Sequence, residues 1–259
     1  MIRRVILHIG LHKTGTTSFQ LFIQQNPALF DETGIELYQP LFRKTAAANE
    51  IGMVLLRKGV IDELYPGPWS VPESAWDKQA WLKKIRVHLH RICTTSVKES
   101  LLISSEHLSF FRTAEEARSL RALFPDSVEE FKIVLVERDL NDWWRSYSAQ
   151  IRRSGILDEK DIGPDYNSWA WLDRRGWLTD FDALCRVYLG EFGQITKLRF
   201  SENVIPQLLD VMGVQGYTNV MVYENRTPRR SGPKNLYKRW LSRTAVGAGW
   251  RGLKKAIWS

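Results

Sequence analysis

A short apolar run, Val5 to Leu7 followed by His8 and Ile9, leads into a loop bounded by Gly10 and Gly15 and then into a stretch opening with Thr16, Thr17 and Ser18. Glycines at both ends let successive backbone N–H groups turn inward, and a helix starting near Thr16 directs its positive dipole end at whatever they hold. The segment predicts a strand, an anion-cradling loop and a helix, which together form the opening unit of an α/β fold. The nucleotide-kinase loop, G-x-x-x-x-G-K-[ST], needs a lysine directly after its second glycine to reach the terminal phosphates. Here the glycine spacing is kept and Thr17 fills the hydroxyl position, but Thr16 stands where that lysine belongs and the cation lies inside the loop, at Lys13. A loop of this kind suits an anionic group with no γ-phosphate and no obligatory Mg²⁺.

A second motif lies further along the chain. Ile133 to Val136 is an apolar run bounded by charge, the pattern of a strand buried on both faces of a parallel sheet. Arg138 follows at its C-terminal end. Asn141 or Asp142 is the expected N-cap of a helix from Trp143 to Arg153, with Ser146 in its early turns. In an open α/β sheet, ligands bind in the crevice outside the strand C-termini, so the Lys13 loop and Arg138 are expected to face one pocket.

Between the two motifs, Leu101 to Ser105 reads as a third strand of the same kind, ending in Glu106 and His107. Either side chain can take a proton when its pKa is tuned toward the working pH. Glu106 is the favoured base because it lies nearer the strand end. Strand alternation would point only one of the two inward, and both have a competing use, Glu106 in capping the following turn and His107 in packing against Phe110 or Phe111.

His12-Lys13-Thr14-Gly15-Thr16-Thr17, together with Arg138 and a serine eight residues later at Ser146, resembles the two signature motifs of the sulfotransferases that use 3′-phosphoadenosine 5′-phosphosulfate. The likeness extends more loosely to about residue 225. One departure is Leu140, where many members have proline, and it bears on the turn. The resemblance implies a P-loop-like three-layer α/β/α fold around a central, mostly parallel sheet. It also implies transfer of a sulfuryl group to an acceptor hydroxyl without a metal, releasing adenosine 3′,5′-diphosphate. Backbone amides of residues 14–17 and the hydroxyls of Thr16 and Thr17 would hold the 5′ end. Lys13 would stabilise charge on the bridging oxygen, and Arg138 with Ser146 would hold the 3′-phosphate. In that family both Glu and His serve as the base. The segment after the last strand closes over the nucleotide there, which makes Arg226, with Arg229 and Arg230, a further candidate.

The chain has 259 residues, 44% of them hydrophobic and 25% charged, enough for one catalytic domain over residues 1–225. Cys93 and Cys185 fit no metal-ligand spacing and read as buried thiols of a reducing compartment. The apolar run near the N-terminus is too short for a signal-peptide core, so a cytoplasmic location is expected. Residues 155–177 mix Tyr166, Trp169, Trp171 and Trp177 with several aspartates, a composition that suits a sugar acceptor as well as it suits packing. A Pro- and Gly-rich loop, Tyr65 to Pro72 with Trp69, could line the same site.

Ten of the 37 basic residues, and no acidic one, fall in residues 226–259, so that 27 basic face 29 acidic side chains in the body and the net charge of +8 belongs to the tail. Trp240, Trp250 and Trp258 among these cations suit a segment lying on an anionic membrane surface; a solvated or oligomer-packing tail is the next reading, and nucleic acid the last. The acceptor is then expected on a carbohydrate or glycolipid. Two other classes stay open. A nucleotide-dependent small-molecule kinase would share the loop, and a membrane-docked scaffold would bind the nucleotide without transfer.

Overall fold

The computed structural model describes residues 1–41, 46–57, 60, 77–154, 157 and 159–217. The Trp69 loop and the basic segment 226–259, with Arg226, lie outside the described residues.

Five strands form one all-parallel sheet: β1 (Arg4–His8), β2 (Ile35–Leu37), β3 (Ser100–Ser104), β4 (Glu130–Glu137) and β5 (Thr196–Arg199), in the spatial order β2-β3-β1-β4-β5. Strand β1 is central, with His8 in register with Ser104 on one side and Val134 on the other. Strand order reverses at β1, so the crevice outside its C-terminal end is the ligand position of such a sheet.

Alternation along the strands divides the interior in two. Val5, Leu7, Leu101, Ile103, Ile133 and Leu135 enter one apolar core, while Ile6, Leu102, Val134 and Val136 enter the other. Both sheet faces are therefore buried, which explains runs of Val, Ile and Leu without polar alternation. The second core is closed by α1 (Thr16–Gln25), α2 (Pro27–Glu32) and, after β5, by Val204–Met212. Helix α1 contributes Phe19, Phe22 and Ile23 at helical spacing.

The first core is closed by α3 (Asn49–Leu55), α4 (Lys78–Thr95), α5 (Ala114–Arg121), α6 (Leu140–Ser154), α7 (Glu159–Ile162), α8 (Trp169–Thr179) and α9 (Phe181–Phe192); Val204–Met212 is α10. The result is a three-layer α/β/α molecule. Cys93 and Cys185 are both buried free thiols.

Two local expectations are corrected. Asp139, not Asn141 or Asp142, caps α6: its Oδ1 accepts from the Asp142 N–H at 3.1 Å and its carbonyl from the Trp143 N–H at 2.8 Å. The helix thus starts at Leu140, its first position, where proline would also fit. Glu106 and His107 do not finish β3. The strand stops at Ser104, and a 3-10 turn, Glu106–Phe110, begins with Glu106, so the two side chains follow a helical rather than a two-residue period.

Candidate functional site

The loop between β1 and α1 is shaped by its own side chains. Gly15 caps α1 at φ +82°, the conformation that calls for glycine, and a Cβ there would also be tight, 3.3 Å from Val204 Cγ1 and 3.4 Å from Phe200. Lys13 is the one non-glycine residue at positive φ among the described residues, at +68°. A conformation of that kind costs on the order of 1–3 kcal/mol and persists where the surroundings impose it. Here they do. Thr14 Oγ1 donates to the Leu11 carbonyl at 2.6 Å, Thr16 Oγ1 to the same oxygen at 3.3 Å, and Arg138 Nη1 donates to the Lys13 carbonyl at 2.9 Å.

That last bond joins the two sequence motifs directly. The Arg138 guanidinium also lies over the Phe200 ring, 4.8 Å from its centroid. Ser146 is half-buried on α6, and Thr17 is exposed at the start of α1. The Thr16 hydroxyl, expected on a ligand, donates inside the loop instead.

Arg153 was not anticipated. Its charge, after burial, is the next largest influence holding the Lys13 ammonium below the usual lysine range; Glu106 opposes it and Arg138 adds to it. Arg138 is bonded to the loop and the charge of Arg153, exposed on α6, is felt at Lys13, so a bound anion would relieve the like-charge repulsion there. Arg153 lies seven residues beyond Ser146, two helical turns along the same face of α6, and that spacing was the signal available.

Opposite the cations, the 3-10 turn supplies a carboxylate–imidazole cluster. Glu106 Oε2 meets His12 Nδ1 at 2.6 Å, with the two side chains 19% and 18% exposed. Burial alone would raise the Glu106 pKa, but His12, His107 and Lys13 together outweigh it and hold the carboxyl below its ordinary range. The His12 ring is stacked on Phe110, with centroids 4.7 Å apart, and has Tyr147 of α6 at 6.1 Å. His12 Nε2 is buried and has no hydrogen-bond partner among the described residues.

His107 is buried and turned toward α3, where its Nδ1 donates to the Asn49 carbonyl at 3.1 Å. Helix α3 approaches so closely that a Cβ on Gly52 would lie 2.4 Å from His107 Cβ. Arg112 fastens the turn from below, donating to the Ser109, Phe111 and Trp177 carbonyls at 2.7–2.8 Å.

The aromatic stretch expected to hold a sugar splits by burial. Trp171 is a core residue packed edge-on to Trp144 at 4.5 Å, and Trp177 packs edge-on to Phe110 at 6.0 Å. Trp169 is 79% exposed.

No protein-family model and no curated protein matches the chain. Among solved structures, the crystal structure of a sulfotransferase from Alicyclobacillus acidocaldarius aligns at a TM-score of 0.46 and 15% identity, covering 99% of this chain and 96% of that one.

Proposed function

We propose that the protein transfers a sulfuryl group from 3′-phosphoadenosine 5′-phosphosulfate to an acceptor hydroxyl. The observation that carries this reading is Arg138 bonded to the backbone of a glycine-bounded loop whose lysine lies before the second glycine, with the Arg153 charge acting on that lysine. That set suits a ligand anionic at both ends of a nucleoside. The tight Gly15 turn suits close backbone approach to one of those ends.

When bound, the donor supplies an activated sulfur and a phosphate leaving group. Backbone amides of residues 14–17 with the Thr17 hydroxyl would receive the 5′ end, and Arg138 with Ser146 the 3′-phosphate. Lys13, desolvated and pressed by like charges, gains most from a neighbouring anion, so its ammonium opposes the charge that develops on the leaving oxygen. Removal of one such preorganised donor typically costs about 10²–10³ in rate. The Glu106–His12–His107 cluster offers the proton acceptor for the incoming hydroxyl.

The acceptor we propose is a carbohydrate or glycolipid hydroxyl, supported by exposed Trp169 on α8 and by the cationic, Trp-bearing segment 226–259. The test is transfer of sulfur-35 from labelled donor into extracted glycolipids and polysaccharides. Label in a saccharide fraction is the expected result, and label confined to small phenols or to nothing contradicts the acceptor class.

A further inference from the structure

We infer that the proton acceptor of this site is Nε2 of His12, a residue of the loop itself, with Glu106 as the carboxylate that orients the ring; the inference rests on the sulfuryl-transfer reading above.

The tautomer follows from the partners. An ionised carboxylate only accepts hydrogen bonds, so at 2.6 Å from Glu106 Oε2 the His12 Nδ1 carries the proton, and in the neutral ring the lone pair is left on Nε2. That lone pair is buried and meets no donor among the described residues. Buried polar atoms are nearly always paired, so an orphaned lone pair calls for an explanation; His8 Nε2, orphaned in the same way, lies on the core side beneath the loop, whereas His12 belongs to the loop itself and carries a carboxylate on its other nitrogen. The ring cannot turn away easily, being stacked on Phe110 at 4.7 Å and flanked by Tyr147 at 6.1 Å and His107 at 6.4 Å. Base, orienting carboxylate and a cation for the leaving group, at adjacent residue 13, thus stand in one cluster, the arrangement of an activated nucleophile generalised to a hydroxyl on the substrate.

The other two candidates are worse placed. Glu106 has an oxygen committed to His12, and a carboxyl held below its ordinary range is a weaker base than a free one. His107 would have the same tautomer, but it is buried, wedged against Gly52 and tied to α3 through the Asn49 carbonyl, on the side away from Lys13's loop.

In the step itself, His12 Nε2 takes the acceptor hydroxyl's proton as that oxygen bonds to sulfur. The bond from sulfur to the bridging oxygen breaks, and its electron pair stays on the 5′-phosphate, beside Lys13. The resulting imidazolium keeps its Nδ1–H on Glu106, which is a positioning residue.

Two readouts test this. In ¹⁵N-histidine NMR spectra of the donor-free protein, the neutral His12 ring is expected to be protonated at Nδ1 with Nε2 bare. Glu106→Gln, whose amide both donates and accepts, should release that preference. A wild-type ring protonated at Nε2 overturns the assignment.

The second readout is release of inorganic sulfate from 3′-phosphoadenosine 5′-phosphosulfate with water as the acceptor. His12→Gln should slow it about 10²- to 10⁴-fold and Glu106→Gln by less, with binding of adenosine 3′,5′-diphosphate retained in both. An unchanged rate in His12→Gln, a loss confined to His107→Gln, or a wild type that binds the diphosphate yet releases no sulfate above the solution rate overturns the inference. A wild type that does not bind the diphosphate sinks the donor-site reading instead.

Discussion

Lys13 combines three conditions that seldom occur together on one side chain: a left-handed backbone, partial burial and neighbouring like charges. If these serve transfer, Lys13→Ala should lower turnover by about 100-fold or more while weakening binding of adenosine 3′,5′-diphosphate only modestly. Arg138→Ala should do the opposite, costing mainly nucleotide affinity. Steady-state rates and calorimetric affinities on the two variants separate the roles, and the reverse pattern refutes them. Both residues were legible in the sequence, because their positions follow from local spacing at the ends of strands. The bond from Arg138 to the Lys13 carbonyl was not, since it spans 125 residues, nor was the pairing of His12 with Glu106. His12 was legible only as part of a loop motif, and Arg153 only through its spacing from Ser146. A second residue-scale prediction concerns His8, which is fully buried under the loop with Nδ1 on Ser104 Oγ at 2.9 Å. Burial pushes its pKa down from 6.5 to about 4. The unfolded chain therefore takes up a proton that the folded one refuses, so this residue's contribution is whole above pH 6.5 and is lost as pH falls toward 4, up to about 3 kcal/mol in all. Urea midpoints measured from pH 7 to pH 4.5 should fall more steeply for wild type than for His8→Gln. Parallel slopes would contradict the assignment.

At the scale of elements, the site is held by contacts between pieces that are distant in sequence. Helix α3 meets the 3-10 turn through Gly52, whose hydrogen faces His107, and Arg112 ties the same turn to the end of α8. Gly52→Ala should force either α3 or His107 to move. We expect a loss of about 1–3 kcal/mol, seen as a drop of several degrees in Tm, with the ring resonances of His107 and Phe110 shifted. An unchanged Tm would show that this approach is looser than the distances imply. The three central strands, β1, β3 and β4, were readable because burial on both faces leaves nearly uninterrupted apolar runs, and the order of the motifs followed from them. The turn at Glu106–His107 was misread as a strand end because nothing local distinguishes the two after Ser104; the early stop comes from packing against α3. The cap of α6 was misread for a related reason. Asp139, Asn141 and Asp142 all cap helices well, and tertiary fit selects among them.

Over the whole molecule, β1 at the centre of an all-parallel sheet brings the C-terminal ends of β3 and β4 to either side of its loop, so Lys13, Glu106 and Arg138 meet at one end of the sheet although 125 residues separate the first from the last. No helix among the described residues is long and apolar enough to cross a membrane. Residues 226–259, with ten cations and no acid, are proposed to hold the protein to an anionic lipid surface. Co-sedimentation should show binding to phosphatidylserine vesicles that weakens with salt and is lost on truncation at residue 225; equal binding by the truncated chain would remove the membrane role. The central claim is the identity of the nucleotide. It is tested most directly by calorimetric titration of the purified protein with adenosine 3′,5′-diphosphate in the presence of EDTA and, in parallel, with ATP and Mg²⁺. The account predicts tight, metal-independent binding of the diphosphate and little or none of ATP. A preference for ATP with Mg²⁺ would contradict it and make the protein a kinase.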